Sequence, residues 1–155
     1  MSSRPTFDYN GYPVRAAGVL IWTRKNGRTL RLLRKVNHKF EDIGGKTDVN
    51  DNNELDTAIR EACEETNGKI FSESHSRKVC AQYLYNHIMR SMDIQYNPAS
   101  KYLLFKVFVD PTILNLNMKR FGLTEKTEWG VLQHYYQWRY DVPRNLHIRI
   151  QGLRL

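Results

Sequence analysis

Residues 54–66 carry the strongest secondary-structure signal in the sequence. Asn53 is a good N-cap residue for a helix there, Asp56 is a weak capping-box partner, and Asn67-Gly68 provide the left-handed conformation that ends a helix. One face collects small and apolar side chains at three- and four-residue spacing: Leu55, Ala58, Ile59, Ala62 and Thr66. We therefore predict an amphipathic helix that packs against another layer of structure.

Two strands are predicted before this helix. Residues 14–24 and 29–35 are rich in apolar side chains and flank Asn26-Gly27, which is a strong signal for a tight hairpin turn. Residues 1–13 are expected to form an irregular arm, and residues 40–53, rich in Gly, Asp and Asn, are expected to form a loop. The helix should thus follow a hairpin and a long loop.

Further strands and a second helix are expected after it. The strands are predicted at residues 78–85, 101–110 and 128–132, and Pro143 is predicted to open the last helix. Three apolar residues would form the buried face of that helix: Leu146, Ile150 and Leu153. A chain of 155 residues has room for one domain. The order of elements predicts an α/β fold with a mixed sheet between helices.

Composition excludes several classes of protein. Apolar residues make up 41% of the chain and charged residues 26%, as in soluble globular proteins. No apolar run is near the roughly 20 residues that span a bilayer, and the first residues lack the apolar segment of a secretory signal. Cys63 and Cys80 are too few for a disulfide framework or a zinc site. We expect an intracellular, cytoplasmic protein with no membrane partner.

Charge is segregated along the chain, whose net charge is +8. The charged residues of segment 24–39 are all basic: Arg24, Lys25, Arg28, Arg31, Arg34, Lys35 and Lys39. Segment 51–65 contains six acids and a single base, Arg60. A basic domain favours an anionic partner such as a nucleotide, an RNA or an inositol phosphate, with solubility alone as the other explanation.

Three acids of the predicted helix share one face. Glu61, Glu64 and Glu65 have the spacing i, i+3, i+4 and project to one side, away from the apolar stripe. Clustered carboxylates repel one another. A hard divalent cation such as Mg²⁺ or Mn²⁺ removes this repulsion and leaves positions for water and substrate phosphates. An ordinary solvated acidic face is the alternative interpretation.

The segment that contains these acids, GGKTDVNDNNELDTAIREACEETNG, resembles the Nudix box, the loop–helix–loop signature of Nudix hydrolases. The family pattern is, in order, Gly, five residues, Glu, seven residues, Arg-Glu, two residues, Glu-Glu, one residue and Gly. Here the loop is one residue longer, with Asp51 as the substitute for the first glutamate. Asn67 stands where the last glycine is expected, and Ile43 replaces a proline often found before the double glycine.

The resemblance implies a Nudix-type α/β/α sandwich and a role for each matching residue. The cation, Mg²⁺ or Mn²⁺, would be bound by the three clustered carboxylates, and the backbone near Gly45 would complete its shell. Arg60 would be the structural arginine, and Asp51 would be the upstream acid that lets it brace the loop against the helix. None of the departures from the family pattern removes a proposed metal ligand.

The reaction implied by the resemblance is attack of water on a phosphorus atom of a diphosphate linkage, which needs a base. Family members take this base from the helix or from a later loop. Glu64 is the candidate on the helix. Glu128 and Glu125 are the candidates on the loop, because they are the only acids between Asp110 and Asp141. We prefer Glu128, since a short strand is predicted directly after it.

The substrate implied is a nucleoside diphosphate linked to a further group. A free nucleotide or dinucleotide and the 5′ cap of an RNA, as in mRNA decapping, both fit, and RNA contact through the basic surface stays open. The alternatives are a diphosphoinositol polyphosphate hydrolase, a non-catalytic Nudix-like nucleotide- or RNA-binding module, and a basic RNA-binding protein with a structural acidic helix. The substrate-binding candidates are Lys46, Arg31, Arg34, Lys39 and Phe40.

Overall fold

The computed structural model describes residues 3–121, 124–128, 130–133 and 135–155. Its strands are β1 (Phe7–Tyr9), β2 (Tyr12–Val14), β3 (Ala16–Lys25), β4 (Arg28–Val36), β5 (Lys39–Glu41), β6 (Ile43–Lys46), β7 (Asp93–Asn97), β8 (Tyr102–Phe108), β9 (Thr124–Thr127), β10 (Gly130–Gln133) and β11 (Tyr135–Arg139). Helices α1 (Glu54–Glu65) and α2 (Arg77–Ser91) lie between β6 and β7. Short 3₁₀ helices occupy Pro111–Asn115, Met118–Phe121 and Ile148–Ile150.

One large mixed sheet organises the described part of the chain. Its strand order is β11-β4-β3-β8-β7, with β5 also paired to β4 and β6 also paired to β3. Strands β3 and β8 are parallel, and the other pairs are antiparallel. Asn26 and Gly27 both have positive φ at the turn between β3 and β4, so the hairpin prediction is confirmed.

The two faces of this sheet bury separate cores. Helices α1 and α2 cover one face, which we call the helical face, with seven buried residues: Ala58, Ile59, Ala62, Cys63, Cys80, Leu84 and Ile88. Residues 143–155 cover the other, back face, where Leu146 and Ile150 pack on Leu20, Leu33 and Leu104. The predicted mixed α/β class is confirmed. No helix in the described residues is both long and apolar enough to cross a membrane.

The predicted helix 54–66 is confirmed as α1. Oδ1 of Asn53 accepts a hydrogen bond from the backbone N–H of Asp56 at 2.8 Å, which satisfies a free donor of the first turn. The Asp56 carboxylate accepts from the N–H of Asn52 at 2.9 Å, one residue earlier than a capping box would have it. Asn67 and Gly68 both have positive φ, and the N–H of Gly68 reaches the carbonyl of Cys63 at 2.8 Å.

Two strand-or-loop predictions near the helices are wrong. Residues 78–85 belong to α2, not to a strand, because Cys80, Leu84 and Ile88 recur at four-residue spacing on its buried side. The segment 40–53 is not all loop, since it contains the end of β5 and the whole of β6. Gly44 lies against Gly18, where an added Cβ would stand 2.6 Å from the Gly18 Cα. Only glycine permits this approach, so these glycines mark close strand pairing.

The ends of the chain also differ from prediction. The N-terminal arm is partly regular, because β1 and β2 pair as an antiparallel hairpin around the turn at Asn10-Gly11. The last helix is reduced to one 3₁₀ turn at Ile148–Ile150. Residues 145–147 run beside β5 instead: Phe40 donates to the carbonyl of Asn145 at 2.9 Å, and His147 donates to the carbonyl of Phe40 at 2.8 Å. These inter-segment bonds replace the bonds a helix would make.

Candidate active site

Helix α1 presents its acids beside the edge of β6. Its apolar stripe packs on the helical face, and Glu61, Glu64 and Glu65 lie beside that stripe, with Glu64 the most exposed of the three. The exposed fractions of these side chains differ, at 17% for Glu61, 46% for Glu64 and 16% for Glu65. Two of the three carboxylates are therefore largely removed from water, where an isolated negative charge is costly.

Arg60 ties this helix to the loop before it. Its Nε donates to Oδ1 of Asp51 at 2.8 Å, and its Nη2 donates to Oδ2 of Asp51 at 3.1 Å and to the carbonyl of Lys46 at 2.9 Å. Thr57 adds a hydroxyl bond to Oδ2 of Asp51 at 2.8 Å. Burial alone would raise the pKa of Asp51, but the Arg60 and Thr57 hydrogen bonds outweigh it and lower that pKa. The one-residue-longer loop therefore still brings Asp51 to Arg60.

The same guanidinium draws two of the helix acids together. Nη1 of Arg60 lies 3.1 Å from Oε1 of Glu61 and 3.3 Å from Oε2 of Glu64, so these carboxylates converge on one positive group. The Glu61 carboxylate presses on Gly45, where an added Cβ would collide with it. Burial raises the pKa of Glu61. Gly45 thus lacks a side chain where a carboxylate needs the space.

Glu65 lies deeper, against strand β4. Its Oε1 forms an ion pair with Nη1 of Arg34 at 2.6 Å, and the same nitrogen lies 3.6 Å from Oε1 of Glu41. Its Oε2 is buried and has no hydrogen-bond partner among the described residues. Burial raises the pKa of Glu65 to about 8, although Arg34 acts in the opposite direction. The second oxygen is a buried acceptor that still requires a donor or a cation.

The metal-free protein is expected to lose stability with rising pH because of Glu65. Its pKa is raised from 4.5 to about 8 in the fold, so the folded state binds that proton more tightly than the unfolded state. The stabilisation that this proton provides is fully present below about pH 4 and is lost as the pH rises through 8. Urea unfolding in chelator from pH 5.5 to 8.5 should show wild type losing free energy of unfolding relative to Glu65→Gln. A difference that stays constant, or that grows in favour of wild type, would contradict this.

The donor set fits a hard divalent cation. The Glu61 carboxylate beside Gly45 and the Oε2 atom of Glu65, which has no hydrogen-bond partner among the described residues, are oxygen ligands of the kind that such a cation takes. In the described residues, no three His, Cys, Asp or Glu side chains are already gathered into a metal cluster. The three helix carboxylates are instead paired with Arg60 and Arg34. Cation binding would therefore take carboxylate oxygens from arginine partners.

A network from the C-terminal segment supports these acids, and no sequence motif marked it. Nε of Arg149 donates to Oδ1 of Asp42 at 2.9 Å, and its Nη1 lies 3.7 Å from Oε2 of Glu41. Its Nη1 donates to the carbonyl of Gly44 at 3.3 Å, and its Nη2 donates to the carbonyl of Asp42 at 2.8 Å. The Tyr102 hydroxyl donates to the Asp42 carboxylate. The only sequence signal is the acidic pair Glu41-Asp42, at the end of β5 and one residue before the double glycine.

Alternation along β4 separates the predicted basic residues. Arg34 lies on the helical face with Glu65, but Arg31 lies on the back face, where Nε donates to the backbone oxygen of Leu155 at 2.6 Å. Phe40 is buried in the back-face core. The structure therefore does not bring Arg31 or Phe40 to the carboxylates, because successive strand residues point to opposite faces.

The remaining predicted residues lie at three different places. Lys46 is exposed at the end of β6, next to Arg60, whereas Lys39 is exposed at the start of β5. Glu128 is exposed in the turn between β9 and β10. The side chain of Glu125 lies outside the described residues. The roles assigned to these residues stay predictions.

Comparisons with known proteins give only distant likenesses. No family model matches the chain, and no curated protein matches it. A crystal structure of C. elegans Ap4A hydrolase matches with a TM-score of 0.45 and 20% identity, over 81% of this chain and 78% of that chain. A C. elegans Ap4A hydrolase binary complex matches with a TM-score of 0.41 and 14% identity over the same shares. The function proposed below therefore depends on this chain's own residues.

Proposed function

We propose that the chain is a divalent-cation-dependent pyrophosphohydrolase of the Nudix type. One observation carries the proposal: helix α1, braced by Arg60 and Asp51, brings the Glu61 carboxylate against Gly45. Glu64 shares the Arg60 guanidinium with Glu61, and Glu65 pairs with Arg34 farther along the same helix. Glu61 and Glu65 are largely buried, and among the described residues their ion-pair partners are Arg60 and Arg34. A helix face of this kind is unfavourable as structure alone and is explained by a cation that the carboxylates share.

Glu61, Glu64 and Glu65, with the backbone near Gly45, would hold Mg²⁺ or Mn²⁺. When bound, the cation would polarise phosphoryl oxygens and offset charge on the leaving group. Arg60 orients two of the carboxylates and keeps the loop against the helix. The reaction forms a bond from the water oxygen to phosphorus and breaks a bridging P–O bond, while the proton of the water passes to a carboxylate base.

Three glutamates are the candidates for that base. Glu64 is the most accessible of the helix acids, at 46% exposure, and can reach a water in front of the helix. Glu128 lies in an exposed turn before β10, and Glu125 precedes it in β9. The pH profiles of kcat for Glu64→Gln and Glu128→Gln distinguish these two candidates. Substitution of the residue that acts as the base should abolish the fall of kcat at acidic pH.

The proposed substrate class is a nucleoside diphosphate linked to a further group. A free nucleotide or dinucleotide and a capped RNA belong to this class and suit a chain of net charge +8. The alternative substrate is a diphosphoinositol polyphosphate, which has a diphosphate group but no nucleoside. A non-catalytic Nudix-like module that binds a nucleotide or RNA is an alternative function. We also propose an intracellular location, which the two free, buried cysteines support.

A substrate panel in ¹⁸O-water tests the function. The panel contains a dinucleoside polyphosphate, a cap dinucleotide, a capped oligoribonucleotide and a diphosphoinositol polyphosphate, each with Mg²⁺, with Mn²⁺ or with chelator. We expect cation-dependent cleavage of at least one member, with a single ¹⁸O in one product identified by mass spectrometry. Binding of a panel member without turnover would support a non-catalytic binding module. Turnover in chelator would refute the cation-dependent mechanism.

The salt response should separate an RNA substrate from a small nucleotide. If the protein recognises the RNA body, KM for a capped oligonucleotide should rise more steeply with salt than KM for the cap dinucleotide. Each additional phosphate contact steepens the dependence of log KM on log salt by about 0.7 for a single strand. Steady-state rates at 50 and 200 mM KCl provide the comparison. If the two substrates have equal kcat/KM and an equal response to salt, the protein does not recognise the RNA body, and a small nucleotide is the substrate favoured over RNA.

A further inference from the structure

A cavity of about 400 Å³ adjoins helix α1 where the N-terminal segment passes the end of β6. Glu61 and Arg60 form its wall on the helix side, and Lys46 and Asp48 form the wall on the strand side. Arg4 completes it from the N-terminal segment. Nothing in the sequence marked Arg4, because it lies in an arm predicted to be irregular.

The N-terminal segment is held firmly at this cavity. Nη1 of Arg15 donates to the carbonyls of Arg4 at 2.8 Å and Pro5 at 3.1 Å, and to the hydroxyl of Thr6 at 3.0 Å. The hydroxyl of Thr47, which is itself buried, donates to the carbonyl of Pro5 at 2.6 Å. These bonds join the segment to Arg15, between β2 and β3, and to the loop after β6, so the fold sets the backbone position of Arg4.

Two positive groups of the cavity have no ion-pair partner in the described part of the chain. Arg60 is engaged with Asp51 and with helix carboxylates, but in the described part of the chain neither Arg4 nor Lys46 forms an ion pair. Nε of Arg4 is buried and has no hydrogen-bond partner among the described residues. Burial and then the neighbouring charge of Arg15 lower the pKa of Arg4. Two cations without ion-pair partners at one cavity favour a bound anion.

We infer that this cavity binds the phosphate chain of the substrate, with Arg4 and Lys46 as its phosphate-binding residues. The inference rests on the proposed function, because Glu61 places the cavity directly beside the proposed cation. Arg4 can present its guanidinium to phosphate oxygens, and Lys46 adds a point charge. Asp48 and Glu61 would repel a free anion, so phosphate binding here should require the divalent cation.

Binding of methylenediphosphonate, a non-hydrolysable diphosphate, tests the inference without relying on turnover. Isothermal titration would compare wild type with Arg4→Ser and Lys46→Ser in the presence and absence of Mg²⁺. Each substitution should weaken binding about 10-fold, the effect of losing one hydrogen bond to a charged group. Arg4→Lys should recover part of the affinity. Arg24→Ser, at an exposed arginine of the β3–β4 hairpin, is the matched control and should bind like wild type.

The outcomes keep this inference apart from the proposed function. If Arg4→Ser and Lys46→Ser both bind methylenediphosphonate like Arg24→Ser, or if wild type does not bind it with Mg²⁺, the inference is overturned. Hydrolysis by wild type would then still support the proposed function. If wild type binds the diphosphate through these residues but cleaves no member of the panel, the site stands and the hydrolase proposal fails. Lys46→Ser removes an exposed side chain and leaves the Arg15 bonds in place, so it reports even where Arg4→Ser unfolds.

Discussion

Glu64→Gln is expected to lower kcat on the preferred substrate of the panel by about 100-fold or more while the protein stays folded. The substitution removes one charged cation ligand and keeps the shape of the side chain. Preorganised charge aimed at the reacting phosphoryl group is worth two to three orders of magnitude in comparable active sites. The side chain is 46% exposed, so its loss costs the core nothing. Chelation of wild type should have an effect of at least the same size.

Two variants make this result specific to the site. Glu65→Gln should also be nearly inactive, but with a changed pH dependence of stability, because it removes the carboxyl group whose pKa burial raises. Glu73→Gln, at an exposed acid paired with Arg120 away from the helix, should keep wild-type kcat. Circular dichroism and thermal melting confirm that each variant is folded. Wild-type turnover by Glu64→Gln in limiting Mg²⁺ would remove this carboxylate from the proposed site.

Arg60→Ala is expected to reduce both stability and rate. It leaves the Asp51 carboxylate, only 3% exposed, without its main partner, and breaking such a pair costs on the order of 3 kcal/mol. For a chain of this length, Tm should fall by roughly 6–12 °C. The rate should fall as well, because Nη2 of Arg60 also holds the carbonyl of Lys46, and Nη1 holds Glu61. Thermal melts and kcat measured below the transition provide the two readouts.

The control for this prediction is an exposed ion pair. Arg139 pairs with Asp141 at 2.8 Å, but Asp141 is exposed, so Arg139→Ala should change Tm little. Asp51→Asn should resemble Arg60→Ala in stability, since it removes the charge from the other side of the same contact. Arg60→Ala with the Tm and kcat of wild type would mean that the alignment of the loop and helix with the family pattern is wrong.

Local signals predicted the elements whose stability is decided within a few residues. The cap at Asn53, the apolar stripe of α1 and the left-handed residues Asn67-Gly68 all act within one helix, so reading the sequence was sufficient. The turn at Asn26-Gly27 is local in the same sense. The same reasoning failed for α2, whose few buried residues leave its surface side with exposed aromatic residues such as Tyr83 and Tyr85. A short segment of mixed apolar and polar residues can be read with either period.

Contacts between distant segments decided the rest. The glycines of β6 looked like a loop, because nothing near them in sequence shows that Gly44 must approach Gly18. The last segment looked like a helix, because its pairing with Phe40 of β5 depends on the position of the sheet. For the candidate site, the spacing of the helix acids placed them on one face, but the strand partner of Glu65 followed from the alternation of β4.

The sequence by itself determined the acid face of α1, its brace candidates Arg60 and Asp51, and the mixed α/β class. These follow from helical periodicity and short-range spacing, which fix which side chains share a face before any packing occurs. Only the tertiary structure decided that Arg34 contacts Glu65 while Arg31 turns to the back face, and that Arg149 and Arg4 join the site from opposite ends of the chain. The reason is physical: an ion pair or a cavity wall depends on distance in space, and residues 4 and 149 become neighbours of α1 only when the sheet has brought their segments together.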